Sequence, residues 1–151
     1  MSGNSLINPD FAPPTAFYFH IRFLDVEDME SSFQEVTGLN VNVGTAEFEE
    51  GGDNQFIHNT PTPPNYENLV LKRCLMYNSK FDQWCRNALE DFNFDPRDMQ
   101  LSLIGATGEI QASWLIAGAF PIAWELSSLN NTDSHLAIET LTLKYRMFKK
   151  N

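Results

Sequence analysis

The sequence predicts a mainly β domain: an antiparallel β-sandwich or barrel of about seven strands with one packed α-helix. Three observations carry this. Apolar and polar residues alternate with period two in segment after segment, as in strands with one buried face. A single stretch, around residues 79 to 91, shows the spacing of an amphipathic helix. Strands and helices nowhere alternate as a parallel βαβ fold would require.

Residues 1 to 15 are small, polar and proline-bearing, and read as an N-terminal arm before a single domain over 16–151. Phe17, Phe19, Ile21 and Phe23 alternate with Tyr18, His20 and Arg22, giving the first strand. Phe33 to Val36 leads through Thr37-Gly38 into Leu39, Val41 and Val43, after which Ala46 and Phe48 take over the apolar phase. That slip predicts a bulge near Gly44 or Thr45 and a long, bent strand.

Residues 51 to 66 hold three prolines and no periodicity. They are expected to form an enlarged, functional loop between two strands. Leu69, Leu71, Arg73 and Leu75 make the next strand, and Ser79 is a helix N-cap with Asp82 three residues on. Phe81, Trp84, Cys85, Ala88, Leu89 and Phe92 then form one helical stripe.

Met99, Leu101 and Leu103 form a strand that turns at Ile104-Gly105-Ala106-Thr107-Gly108-Glu109 into one carrying Ile110, Ala112, Trp114 and Ile116. Pro121 is expected to mark a corner, with Phe120, Ile122, Trp124 and Leu126 alternating on the apolar side of a further strand. A last strand spans Leu136 to Phe148, where the apolar phase changes between Ile138 and Leu141. That change predicts a second bulge or a strand covered on both faces. Phe19, Trp84, Trp114 and Trp124 are the expected core anchors.

Composition narrows the function. With 151 residues the chain can bury a core without disulfides or metals. Its formal net charge of -10 disfavours a phosphate-gripping surface. Two cysteines, Cys74 and Cys85, suit reduced, partly buried thiols of a cytoplasmic product. No apolar run approaches the length of a membrane span, and no export signal opens the chain.

Chemistry-bearing patterns are missing. His20, His58 and His135 lack metal-ligand spacing, and Glu47, Glu49, Glu50 and Asp53 lack the spacing of a calcium loop. There is no nucleophile elbow, phosphate loop or dinucleotide fingerprint, so neither catalysis, metal nor cofactor is expected. What does stand out is a supply of long strands on a small sheet, whose edges must be covered, closed or paired with another chain.

Six blocks then occur in order: Phe33-Gln34-Glu35-Val36-Thr37-Gly38-Leu39, Glu50-Gly51-Gly52, Leu69-Val70-Leu71-Lys72-Arg73, Trp84, Trp114 with Ala119-Phe120-Pro121-Ile122-Ala123-Trp124, and Ala137-Ile138-Glu139-Thr140-Leu141. Together, over residues 16 to 149, they resemble the tail tube protein family of contractile phages and phage-tail-like contractile injection systems. Cys74, where such proteins often show glycine, and the insertion Pro61-Thr62-Pro63-Pro64 depart from that pattern and bear on the stacking contacts.

The resemblance implies a six-subunit ring whose inner strands join edge to edge, stacked into a hollow conduit that sheath contraction drives through a target envelope. Implied partners are further copies of the chain, sheath, baseplate or spike, a terminator cap, and a payload protein or DNA. Gly51, Gly52, Asp53, Asn54, His58, Pro61, Pro63 and Tyr66 are the expected ring-stacking residues, assisted by the arm around Phe11. Asn40, Asn42, Lys72, Gln111, Ser113 and Glu125 are the expected lumen-facing residues. Two other readings fit the same strands. One is a secreted hexameric ring protein of a type VI-like system; the other is a monomeric β module holding a ligand between its tryptophans.

Overall fold

The computed structural model describes residues 17–49, 57–74, 79–127 and 138–151. Among them ten strands and one helix follow in order: β1 (Tyr18–Phe23), β2 (Glu30–Phe33), β3 (Glu35–Thr37), β4 (Val41–Glu49), β5 (Ile57–Tyr66), β6 (Leu69–Cys74), α1 (Lys80–Leu89), β7 (Arg97–Ile104), β8 (Ile110–Leu126), β9 (Ile138–Lys144) and β10 (Met147–Lys150). The class is the expected one, mostly antiparallel β with one helix. The strand count rises above seven because β5 forms where a loop is expected and bends separate β2 and β3 from β4 and β10 from β9, while the two strands expected on either side of Pro121 are the single β8.

The main sheet runs β2-β1-β7-β8-β9-β6-β3, with β10 beside β8. Its two ends, β2 and β3, are consecutive in the chain and separated by Gln34 alone. The sheet therefore curls back on itself, and most of its strand edges are used up. β8 is the opposite corner. Its first half pairs with β7 and β10, and its second half with β9.

β8 corrects the expectation of two strands meeting at Pro121. It is one strand, Ile110–Leu126, that turns by bulging rather than by stopping. Its pairing slips opposite Arg97/Met99 and again between Pro121 and Ala123, and Gly118 takes a φ of 65° at the first slip. Each slip reverses which side faces inward. Trp114 and Ile116 point to the core, then Ala119 and Pro121, then Trp124. Ile122, expected on the apolar phase, is exposed instead. The last predicted strand is likewise divided, because Tyr145 and Arg146 break the ladder between β9 and β10.

Helix α1 lies on this barrel as its pattern requires. Ser79 accepts a hydrogen bond from the Asp82 backbone N–H at 3.1 Å, the expected cap. Phe81, Trp84, Cys85 and Ala88 form the buried stripe. Phe23 packs against Phe81 and Trp84 with ring centroids 5.7 and 4.9 Å away, and Trp84 Nε1 donates to the Asp95 carbonyl at 2.8 Å. Phe19, Trp114 and Trp124 are partly buried against the same core.

A charged cluster fastens helix to sheet. Arg73 is buried on the same phase as Leu69 and Leu71. Its guanidinium donates to Glu139 on β9 at 2.6 Å, to Ser31 on β2 and to Asp82 on α1. It also lies 5.2 Å from the Phe33 ring centroid and 5.6 Å from that of Phe81. Burial opposes its charge, but hydrogen bonding and attraction to Glu139 and Asp82 outweigh burial and hold its pKa above the ordinary value. Cys85 is free and buried, and burial followed by the nearby Asp82 carboxylate pushes its thiol pKa up, which makes it inert.

Candidate functional site

The least self-sufficient part of the molecule is the hairpin of β4 and β5. The stretch read as a loop over 51 to 66 is in fact a strand from Ile57 to Tyr66, paired with Val41–Glu49. Three prolines hide the strand from a periodicity search, since proline is tolerated only at edges and bulges. The expected bulge at Gly44 or Thr45 is present, as the pairing slips between Val43 and Thr45. The two strands form a separate sheet. Val41 and Val43 are 46% and 57% exposed. Two strands alone are marginal in water, so this arm calls for a partner surface.

Its root is firmly held. Gly38 adopts a φ of 97°, and a Cβ there would sit 1.9 Å from the Asn68 carbonyl oxygen, so only glycine lets the chain leave the barrel at this point. Tyr145 donates to the Gly38 carbonyl at 3.3 Å. Tyr66, Tyr145 and Phe148 stack edge-on, with Tyr66 centroids 5.9 and 5.3 Å from the other two. Burial, then the neighbouring Tyr66 and Glu67, pushes the Tyr145 pKa up to about 12. Asn40 donates to Glu67 at 2.9 Å.

The predicted stacking residues divide accordingly. Gly51, Gly52, Asp53 and Asn54 lie outside the described residues, as does the arm around Phe11. His58, Pro61 and Pro63 lie along β5, and Tyr66 is at its root. Tyr66 is thus an anchor of the arm as well as a member of it.

The structure does not bring all the predicted lumen residues together. Asn40 and Asn42 belong to the hairpin root, where Asn42 faces Asn65. Lys72 and Glu125 both pair with Thr140, and Lys72 also pairs with Glu35, so one row crosses four strands as Glu35, Lys72, Thr140, Glu125. Lys72 Nζ lies 3.7 Å from the Glu35 carboxylate. Ser113 lies on the same side of β8 as Glu125, opposite the core residues, because the two bulges cancel. Gln111 is exposed beside Glu109, to which it donates at 2.9 Å. The row is polar and half-exposed.

A second exposed apolar surface lies beyond the helix. Phe92, 84% exposed with a φ of 53°, stacks on Phe94 at 5.0 Å, and Phe94 stacks on Phe120 at 5.8 Å. A bulky residue at positive φ is strained, and here it is held out into solvent. Sequence reasoning placed Phe92 in the helical stripe; the helix ends at Leu89, and the left-handed turn swings the ring outward. Two clefts, of about 260 and 500 Å³, open near Trp84 and along 22–30. Among the described residues no group of His, Cys, Asp or Glu is placed to hold a metal ion, and no helix is long and apolar enough to cross a membrane.

A well-packed sheet that curls back on itself and holds out an exposed strand pair suits an assembly subunit. The model of the T4-like virus tail tube protein gp19 family matches residues 15–149, and the chain belongs to that family: it is a tail tube protein. Solved structures agree on the fold. A chain of the anti-feeding prophage baseplate, solved by cryo-EM with 6-fold symmetrisation, superposes with a TM-score of 0.74 at 21% identity, covering 93% of this chain and 96% of that one. A chain of the sheath-tube complex of an extracellular contractile injection system gives 0.72 at 20% identity over 100% and 99%. A type six secretion system protein gives 0.60 at 10% over 89% and 83%. No curated protein matches the chain.

Proposed function

We propose that this tail tube protein assembles into rings of six subunits that stack into the hollow inner tube of a contractile phage tail or injection particle. Its partners are further copies of itself, a surrounding sheath, a baseplate and a terminal cap; protein or DNA passes through the lumen. The observation that carries the reading is the β4–β5 hairpin, firmly rooted and exposed over residues 41–47, on a chain of the tail tube family. Similarity to chains from a 6-fold symmetrised baseplate, a tube-terminating cap and a sheath-tube complex supports the same partners.

In this reading Gly51, Gly52, Asp53 and Asn54, with His58, Pro61 and Pro63 of β5, contact the next ring. The row Glu35, Lys72, Thr140 and Glu125, with Ser113, faces the lumen. Two carboxylates against one amine leave that row net negative, so an acidic payload or DNA slides past without adsorbing. The chain is made in the bacterial cytoplasm and leaves it as part of the particle.

Negative-stain electron microscopy of the purified protein at high concentration tests the proposal. Rings or tubes with a central hole are expected; a persistent monomer would overturn it.

A further inference from the structure

Strand register fixes where the aromatic stack of Phe92, Phe94 and Phe120 stands. On β9, Leu141 and Leu143 are buried, so Thr140, Thr142 and Lys144, which alternate with them, point to the opposite face. Their partners on β8 are Glu125, Ala123 and Phe120. Side chains directly opposite on a ladder share a face. The bulge at Ile122 therefore leaves Phe120 on the face that carries the row Glu35, Lys72, Thr140 and Glu125. Lys144 lies four residues beyond Thr140, which puts the stack about 13 Å along the strands from that row.

Phe92 and Phe94 are exposed, yet the segment that carries them is pinned on both sides. The Asn93 backbone N–H donates to the Asn87 carbonyl at 2.9 Å, and Trp84 Nε1 donates to the Asp95 carbonyl at 2.8 Å. Arg97 donates to the carboxylates of Asp95 and Asp25, each at 2.7 Å. The left-handed turn at Phe92 is thereby fixed with its ring outward, a strain of the kind that persists where a ligand is clamped. Rings already held edge to face lose less freedom on binding than free side chains would.

Charge selects the ligand. Asp91 beside Phe92 and Lys144 opposite Phe120 are both exposed, and neither is in an ion pair among the described residues. The step thus carries one charge of each sign around an apolar centre. Duplex DNA offers phosphates, which the chain's net charge of -10 repels, and keeps its base faces stacked inside. A polypeptide offers apolar side chains with charges of both signs between them, the match for an exposed aromatic patch with a mixed rim.

We propose that Phe92, Phe94 and Phe120 form a step on the inner wall of the tube that binds a polypeptide in transit by its apolar side chains. The inference rests on the tube reading above, and names the class of payload and the place that grips it. In stacked rings such steps repeat along the lumen and alternate with the polar row, so a payload is gripped at one level and slides at the next.

Co-sedimentation with assembled tubes tests this. The probes are a short fluorescein-labelled peptide of mixed charge bearing several Phe residues, the same peptide with Ser at those positions, and a labelled DNA duplex of similar length. Wild-type tubes are expected to retain the Phe peptide roughly tenfold better than either other probe, and tubes of Phe92→Ser with Phe94→Ser to lose that advantage. Both substitutions fall on exposed rings, so circular dichroism and negative stain should show fold and tubes unchanged. Position is read separately: Phe92→Cys on a Cys74→Ser background, labelled with a gold maleimide and mixed sparsely into wild-type tubes, should show gold in the central hole. Gold on the outer surface, no retention of the Phe peptide by wild-type tubes, equal retention by the double variant, or preference for the duplex would each overturn this inference and leave the tube reading intact. Loss of tubes from the double variant would place the rings between copies and overturn it as well. A wild-type chain that forms no tubes would overturn the tube reading itself.

Discussion

In the barrel, alternate residues of the strands are buried against Phe23, Phe33, Phe81 and Leu143, while in the hairpin Val41 and Val43 occupy equivalent alternate positions and face outward. Both regions are β ladders with similar residue types. What separates them is the presence of a second layer. Burying one large apolar side chain is worth about 1.5–3 kcal/mol, and the barrel collects that gain within one subunit. The hairpin can collect it only in company. The lesson is that residue type sets what can be buried, and topology sets whether burial occurs inside the chain or between chains.

The sharpest way to break the barrel side of the comparison is Phe81→Ala. The ring is fully buried against Phe23, Phe33 and Trp84. Its loss should cost about 3–5 kcal/mol, read as a lower urea midpoint of the monomer. Arg73→Leu follows closely. Removing the shared cation leaves Asp82 and Glu139 buried without it, at a cost of about 3 kcal/mol or more, and the same unfolding curve measures it.

Alkaline pH probes the joint between the two regions. Tyr145 has its pKa raised from 10.0 to about 12. Below pH 10 the hydroxyl is protonated in both folded and unfolded chains, and its contribution is fully present. As pH rises from about 10 through 12 the unfolded state ionises first, so stability falls. Urea titrations over that window should show the loss, and Tyr145→Phe should flatten the part due to this group.

Smaller still, Ser79→Ala removes the helix cap and should cost about 1 kcal/mol, seen as a modest drop in melting temperature. At the bottom of the scale, Val43→Ser should shift monomer stability by less than about 0.5 kcal/mol yet weaken ring formation in sedimentation. A large loss of monomer stability from Val43→Ser would show that the arm already packs on its own barrel.

Much of the barrel was legible because its signals are local. Ser79 caps the helix that Phe81, Trp84, Cys85 and Ala88 imply, and Gly44-Thr45 marks a bulge through the slip in phase. Readings failed where a bulge or a proline changed the period. Gly118 and Pro121 each reverse the facing of β8, so a single alternation predicts Ile122 inside; β5 reads as a loop because its prolines carry no alternation. The Arg73 cluster left a visible trace, an arginine on the same phase as Leu69 and Leu71, but its partners come from residues 31, 82 and 139 and only folding brings them together. Of the candidate site, Lys72 and Glu125 converge on one row, while Asn40 and Asn42 belong to the hairpin root because strand pairing is set by contacts far apart in sequence.

β8 carries a mechanical meaning as well. The tube proposed above, driven through an envelope, must bear compression without its walls shearing, and the weakest planes in a β protein are those held by side-chain contact alone. Here seventeen residues of uninterrupted strand run from one half of the wall into the other, bonded along the way to β7, β10 and β9. A load entering one half is passed on through covalent backbone, with neighbouring ladders stressed along the strand, where many hydrogen bonds share it at once. Stiffness of the proposed conduit is thereby written into a single stretch of chain.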